Sequence, residues 1–123
     1  MITIHDHKVE KVGKFFSGSK EKIIWRFTIK KNRFDIVLTV SHRSKKIRLM
    51  LNGYLVKESI SEYNYFEHIF EERGNQFKVD TDFKKSNLYI NEIPFESLYY
   101  QNDSKIMHLV KFDSKLPNNA AGS

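Results

Sequence analysis

The first place where this sequence could carry out chemistry is its N-terminus. His5-Asp6-His7 offers two imidazoles and one carboxylate, which are groups that bind divalent metals. A metal site also needs further ligands in a defined geometry, and the surrounding sequence supplies none. We therefore predict an exposed, loose N-terminus over residues 1–7 and no metal site.

Two pairs of carboxylates could act on a substrate or hold a cation. Glu71 and Glu72 are adjacent, so a strand would place them on opposite faces, where they could not share a substrate. Asp80 and Asp82 would share a face, but no third ligand for a cation is evident nearby. Both pairs are better interpreted as solvated surface positions.

The remaining reactive side chains match no catalytic motif. His42 and His68 have no partner residues in the sequence, and the serines lack the glycine-flanked turn of a nucleophile elbow. Five scattered glycines form no phosphate-binding loop, and the absence of cysteine excludes thiol catalysis. We predict a protein that is not an enzyme, with no catalytic residues and no cofactor.

Positive charge is concentrated in the first half of the chain. The formal net charge is +6, and residues 1–53 hold 13 Lys and Arg against 4 Asp and Glu. Residues 54–123 hold 8 against 11. Such a half could bind an acidic partner, although outward positions of amphipathic strands are also expected to be charged. The candidate basic surface comprises Lys30, Lys31, Arg33, Arg43, Lys45, Lys46 and Arg48.

Two aromatic residues could stack on nucleic-acid bases. Tyr54 could accompany the basic residues in this role, and Trp25 could form an exposed stacking platform. Phe27 and Ile29 share the phase of Trp25, which favours a core position for the tryptophan.

These side chains must be positioned by strands, because apolar residues recur at every second position. The stretch from Trp25 to Gly53 is the most regular, and Asn52-Gly53 is typical of a two-residue hairpin. Strands are predicted near residues 8–12, 23–30, 34–41, 46–51, 54–57, 76–80, 88–90 and 105–112. The predicted core comprises Trp25, Phe27, Ile29, Ile36, Leu38, Ile47, Leu49, Leu51, Phe77, Val79, Leu88 and Ile90.

Three segments are harder to assign. Residues 58–72 have apolar residues at helical spacing and a capping box at Ser59 and Glu62, so the local pattern slightly favours a helix over a strand. Pro94 makes residues 93–95 an edge piece or a strand end. Residues 97–103 are predicted to form a loop, with Tyr99 and Tyr100 on the sheet edge.

The length of 123 residues predicts one domain, over residues 1–115, followed by a disordered tail or expression remnant at 116–123. No secretory signal and no apolar stretch long enough to cross a bilayer is present in the sequence. We expect a soluble intracellular protein, cytoplasmic or alternatively nuclear, without membrane contact.

The stretch from Trp25 to Gly53 resembles the amino-terminal domain of the Fas apoptotic inhibitory molecule family. In that family a Trp opens a strand, a second alternating strand follows, and a serine then precedes a basic pair and a strand ending in a tight turn. The matching positions here are Trp25, Phe34–Val40, Ser44, Lys45-Lys46, Ile47–Leu51 and Asn52-Gly53. The resemblance extends over residues 23–98, and Glu92 stands where the family has a glycine.

This resemblance implies a compact antiparallel β-sandwich and favours a strand over residues 64–71. It also implies a non-enzymatic, cytoplasmic protein that acts through protein contacts in cell-death signalling and in restraining protein aggregation. Together with the residue pattern, it predicts an all-β, single-domain sandwich of about seven to eight strands joined by hairpins, with room for one short helix.

Two classes of function fit this sequence. The first is a protein-interaction module that docks partners on exposed strand edges or aromatic patches. The alternative is a nucleic-acid-binding module that uses the basic residues of the first half. The two differ in whether the basic residues converge on one surface.

Overall fold

The chain folds into two antiparallel sheets and one short helix. The computed structural model describes residues 2–12 and 19–102, with residues 99–102 described as backbone only. Its elements are, in order, β1 Ile2–Val12, β2 Lys20–Ile29, β3 Asn32–Ser41, β4 Lys46–Leu51, β5 Tyr54–Ile60, β6 Phe66–Glu72, β7 Asn75–Thr81, β8 Ser86–Ile90, β9 Ile93–Pro94 and α1 Phe95–Asn102.

The strand order follows the sequence order in both sheets. The first sheet is β1-β2-β3-β4-β5 and the second is β6-β7-β8-β9, with every neighbouring pair antiparallel. The all-β sandwich predicted from the sequence is therefore confirmed. The described residues form nine strands, slightly more than the seven or eight expected.

Tight turns of defined backbone geometry set the register of the hairpins. Asn52 and Gly53 both have positive φ, 49° and 84°, as the predicted two-residue hairpin requires. The Asn52 side chain also accepts the Asp35 N–H at 2.7 Å and donates to the Arg33 carbonyl at 3.3 Å. This turn is thereby tied to the neighbouring strand β3.

The core lies between the sheets and is built from one face of strands β1 to β8, together with Phe83 and the buried side of α1. All twelve side chains of the predicted core are buried. The Phe77 ring of the second sheet lies 5.2 Å from Phe34 and 6.0 Å from Phe27 of the first, between ring centroids. Period-two apolar patterning in two separate sheets therefore converges on one aromatic centre.

The prediction of a loose N-terminus is wrong, because residues 2–12 form the long edge strand β1. It pairs with β2 along its whole length, and Ile2 and Ile4 pack against the core. A bulge at His5 shifts the register by one residue between Ile4 and Asp6. The bulge changes the phase of the apolar alternation, so the strand predicted at residues 8–12 was not extended back to Ile2.

Residues 58–72 contain no helix, contrary to the slight local preference. Strand β5 continues to Ile60, and Phe66–Glu72 forms β6. The Ser61 hydroxyl accepts the Tyr65 N–H at 2.9 Å and lies 2.8 Å from the Tyr65 carbonyl, so it closes the connection between the two strands. Pairing with β7 outweighs a helical pattern that was rich in weak helix formers.

The predicted loop at residues 97–103 is also wrong, because α1 occupies Phe95–Asn102. Phe95 and Leu98 are buried, at the spacing of one helical turn. A helix of eight residues is marginal alone, so its burial against β1, β8 and β9 accounts for its stability. The expected placement of the Tyr99 and Tyr100 side chains lies outside the described residues.

The strand predicted at 105–112 and the tail at 116–123 also lie outside the described residues. Within the described part of the chain, no helix has the length and apolar character that crossing a membrane requires.

Candidate interaction surface

Exposed apolar side chains are concentrated in one stretch of the chain. Of eight large apolar residues that the described structure leaves exposed, six lie between Tyr54 and Ile69. We call these six the apolar cluster; they are Tyr54, Leu55, Ile60, Tyr63, Tyr65 and Ile69. Tyr63 is the most exposed, at 86 %. Four other consecutive strands, β1 to β4, contribute only Val9 to this set of eight.

The apolar cluster lies on two edge strands, one from each sheet, and on the segment that connects them. β5 is an edge of the first sheet, β6 is an edge of the second, and only residues 61–65 connect them. We call the surface formed by β5, residues 61–65 and β6 the open side. On the opposite side α1 packs against β1, β8 and β9, and the rings of Phe95 and His7 lie 5.5 Å apart.

Aromatic rings line the inner face of β6 at the open side. His68 stacks between Phe66 and Phe70, with ring centroids at 6.4 and 6.1 Å. Desolvation lowers the pKa of His68, and the nearby Lys57 of β5 lowers it further. The His68 ring lies between two aromatic rings on this face and extends the rim of the core.

The seven residues of the candidate basic surface do not converge. Lys30 and Lys31 lie in the turn at one end of β3, while Arg43 and Lys45 lie in the turn at its other end. A strand of ten residues spans about 30 Å. These basic residues therefore belong to two separate ends of the first sheet.

Several of these basic residues are also engaged within the chain. Glu58 lies 3.1 Å from the Arg48 Nε and 3.4 Å from the Lys46 Nζ. Arg33 Nε lies 3.9 Å from Asp35, and Lys45 Nζ lies 5.1 Å from the centre of the Phe83 ring. These contacts reduce the charge offered to a partner.

His5-Asp6-His7 is held by β2 and does not form an exposed tail. His5 hydrogen-bonds to the Thr28 hydroxyl at 2.7 Å, and Asp6 lies 3.3 Å from the Arg26 guanidinium on the outer face. His7 stacks on the buried Trp25 at 5.8 Å. His7 therefore points away from His5 and Asp6, and the described residues contain no group of three or more His, Asp or Glu able to hold a metal ion.

His7 contacts Trp25 and Phe95 but is exposed, and it borders a small pocket. Partial burial lowers the pKa of His7, although Glu96 and Asp6 act in the opposite direction. The pocket, which Trp25 and Tyr89 also line, has a volume of about 30 Å³, enough for one or two water molecules. It is too small for an organic substrate.

The paired carboxylates serve local structure. The Asp80 carboxylate accepts a hydrogen bond from the Asn87 amide at 2.9 Å. Asp82 accepts the backbone N–H groups of Lys84 and Lys85 at 2.9 and 2.8 Å, and these bonds lower its pKa. The two aspartates thus stabilise the β7–β8 hairpin at separate points.

Trp25 is buried, so the stacking-platform alternative for it is wrong.

No family model, no curated protein and no solved structure matches this chain. The resemblance to the Fas apoptotic inhibitory molecule family therefore stays a prediction.

The open side could not be recognised from composition, because an edge strand is defined by which strands it pairs with. The available signal was in residues 58–72, which contain tyrosines, isoleucines and five glutamates but no Lys or Arg. An apolar stretch without the lysines that usually protect an edge strand is such a signal.

Proposed function

We propose that this chain is a non-enzymatic protein-interaction module and that partners dock on its open side. The observation that carries the proposal is the position of six of the eight exposed large apolar residues on this surface. Exposed aromatic residues beside sheet edges are typical of protein-binding sites, since they supply contact area and the edge supplies main-chain hydrogen bonds.

The setting proposed for this module is the cytoplasm. The absence of cysteine fits a reducing compartment. A role in cell-death signalling or in restraining aggregation follows from the family resemblance alone. Nucleic-acid binding is less well supported, because the candidate basic residues lie at two ends of the first sheet and several contact carboxylates.

A capture experiment with matched variants tests this proposal. The full chain is used as bait beside Ile60→Ser/Tyr63→Ser on the open side and Val9→Ser on β1, where Val9 is also exposed. We expect wild type and Val9→Ser to retain the same partner and the open-side variant to lose it. Equal capture by all three baits would contradict the proposal.

A titration with labelled single-stranded and duplex oligonucleotides at two salt concentrations tests the nucleic-acid alternative. Affinity that falls steeply with salt and is lost in Lys45→Ala/Lys46→Ala/Arg48→Ala would favour that alternative. The interaction-module proposal predicts no binding that depends on these three residues.

A further inference from the structure

The four edges of the two sheets are protected to different degrees. β1 has a bulge at His5, and β5 has one at Val56, where Leu49 and Met50 face Lys57 and Leu55. β9 has only two residues, and one of them is a proline. Bulges, short strands, lysines and prolines are devices that prevent an edge from pairing with another chain.

β6 has no bulge, no lysine and no proline, and its charged residues are all glutamates. Its seven residues pair with β7 in unbroken register from Phe66↔Thr81 to Glu72↔Asn75, and they include no Lys, Arg or Pro. The described residues place no strand on its other side. β6 is therefore the edge best suited to accept an additional strand.

The hairpin register identifies the main-chain groups that face outward. Glu72 and Asn75 flank the two-residue turn Arg73-Gly74 and form the first hydrogen-bonded pair of the hairpin. Pairs alternate from there, so the N–H and carbonyl groups of Glu67, Ile69 and Glu71 point away from β7. These three residues supply the hydrogen bonds for an incoming strand.

The side chains of the same three residues define the partner's chemistry. Glu67, Ile69 and Glu71 share the outer face of the second sheet and present the pattern acidic, apolar, acidic. Glu67 is paired with Lys78 at 3.5 Å, whereas no cation of the described residues lies within ion-pair distance of Glu71. A neighbouring strand with basic residues opposite the glutamates would be favoured.

The same charges disfavour a second copy of β6. In an antiparallel β6–β6 pair centred on Ile69, Glu67 of each copy would lie directly opposite Glu71 of the other. Like charges at directly opposed positions destabilise strand pairing. The glutamates therefore select against self-association through β6 and in favour of a basic segment.

We propose that β6 accepts an extended segment of a partner protein by strand addition and that this segment has the pattern basic, apolar, apolar, apolar, basic. The two basic residues lie opposite Glu67 and Glu71, and the central apolar residue lies beside Ile69. The second and fourth residues face inward, beside the rings of His68 and Phe70. The proposal rests on the proposed function and names the partner's chemistry at the same surface.

Peptide binding measured by fluorescence anisotropy tests strand addition. The probe is a labelled, capped heptapeptide, Thr-Lys-Val-Val-Ile-Lys-Thr, and the protein is the full chain. Ile69→Pro removes the outward N–H and leaves the β6–β7 ladder intact, while Ile69→Thr keeps the N–H and shortens the side chain. We expect Ile69→Pro to weaken binding about tenfold and Ile69→Thr to weaken it much less.

A charge exchange tests the specificity. Glu67→Lys/Glu71→Lys should lose the lysine peptide and gain a matched peptide with glutamate in place of both lysines. Thermal unfolding of each variant confirms that it is folded. Equal binding of both peptides to the wild-type chain would overturn the charge assignment.

The outcomes separate this inference from the proposed function. If the probe fails to bind, or binds equally to the proline and threonine variants, strand addition at β6 is wrong. The interaction module is refuted separately, by open-side variants that retain every captured protein. Probe binding that Ile69→Pro weakens about tenfold and Ile69→Thr weakens much less supports both proposals.

Discussion

At the scale of single residues, Phe77 is the point where the two sheets meet. Its ring contacts Phe27 and Phe34 across the sandwich and Phe70 in the neighbouring strand at 5.4 Å. It is fully buried, so removal of the ring would leave a cavity bounded by three other aromatic side chains.

We expect Phe77→Ala to lower the free energy of unfolding by about 3–5 kcal/mol, because burial and packing are lost together. Denaturant unfolding measures this change. Tyr63→Ala removes an aromatic ring that is 86 % exposed, and it should change stability by less than about 0.5 kcal/mol. Equal losses in the two variants would contradict the assigned core.

The pKa of His7 predicts a dependence of stability on pH. Burial lowers this pKa in the folded chain below the ordinary value of 6.5, so the unfolded chain binds the proton more readily. The free energy of unfolding should therefore fall as the pH decreases from neutrality through 6.5 towards the folded pKa. His68, whose pKa is also lowered, adds to the same decline.

His7→Phe keeps an aromatic ring against Trp25 and removes the titrating group. Thermal unfolding between neutral and mildly acidic pH should show a smaller decline for this variant than for the wild type. Val9→Ser, a change at an exposed and non-titrating position of the same strand, is the control and should retain the full decline. An unchanged pH dependence in His7→Phe would exclude His7 as its source.

At the scale of elements, local pattern predicted the hairpins well. β3 and β4 alternate strictly, and Asn52-Gly53 has the turn geometry that its sequence requires. Three predictions were wrong, each for an identifiable physical reason. Over residues 58–72, the pairing of β6 with β7 outweighs the helical pattern. The bulge at His5 changed the phase of β1, and the burial of Phe95 and Leu98 stabilises a helix that its local sequence does not specify.

The turn at Asn91-Glu92 provides a prediction at this scale. Both residues have positive φ, 50° and 70°, and only Asn91 tolerates such a backbone readily. We expect Glu92→Gly to raise the free energy of unfolding by about 1 kcal/mol, because glycine has no Cβ atom to clash with the backbone in the left-handed conformation.

The opposite change at another turn is the matched comparison. Gly53→Ala places a Cβ at a φ of 84° and should destabilise the chain, although no atom lies within 4 Å of that Cβ. Any loss would therefore reflect backbone conformation and not a clash. Destabilisation by Glu92→Gly would contradict the assigned turn.

At the scale of the whole molecule, the candidate site depends on which strands become edges. Composition predicted a basic half, but sheet order separates its residues and turns several of them towards carboxylates. The open side could not be predicted from periodicity, because Ile69 and His68 follow the same alternation as residues in a central strand. In the described sheet β6 pairs with β7 on one side and with no strand on the other, which leaves the outer edge of β6 exposed.

The measurement that tests the central claim most directly is site-specific photo-crosslinking in intact cells. A photoreactive amino acid replaces Tyr63 on the open side or, as control, Val9 on β1, which are both exposed positions. We predict a defined protein adduct from position 63 and none from position 9. The account would be contradicted by equal adducts from both positions, by none from position 63, or by adducts there with nucleic acid alone.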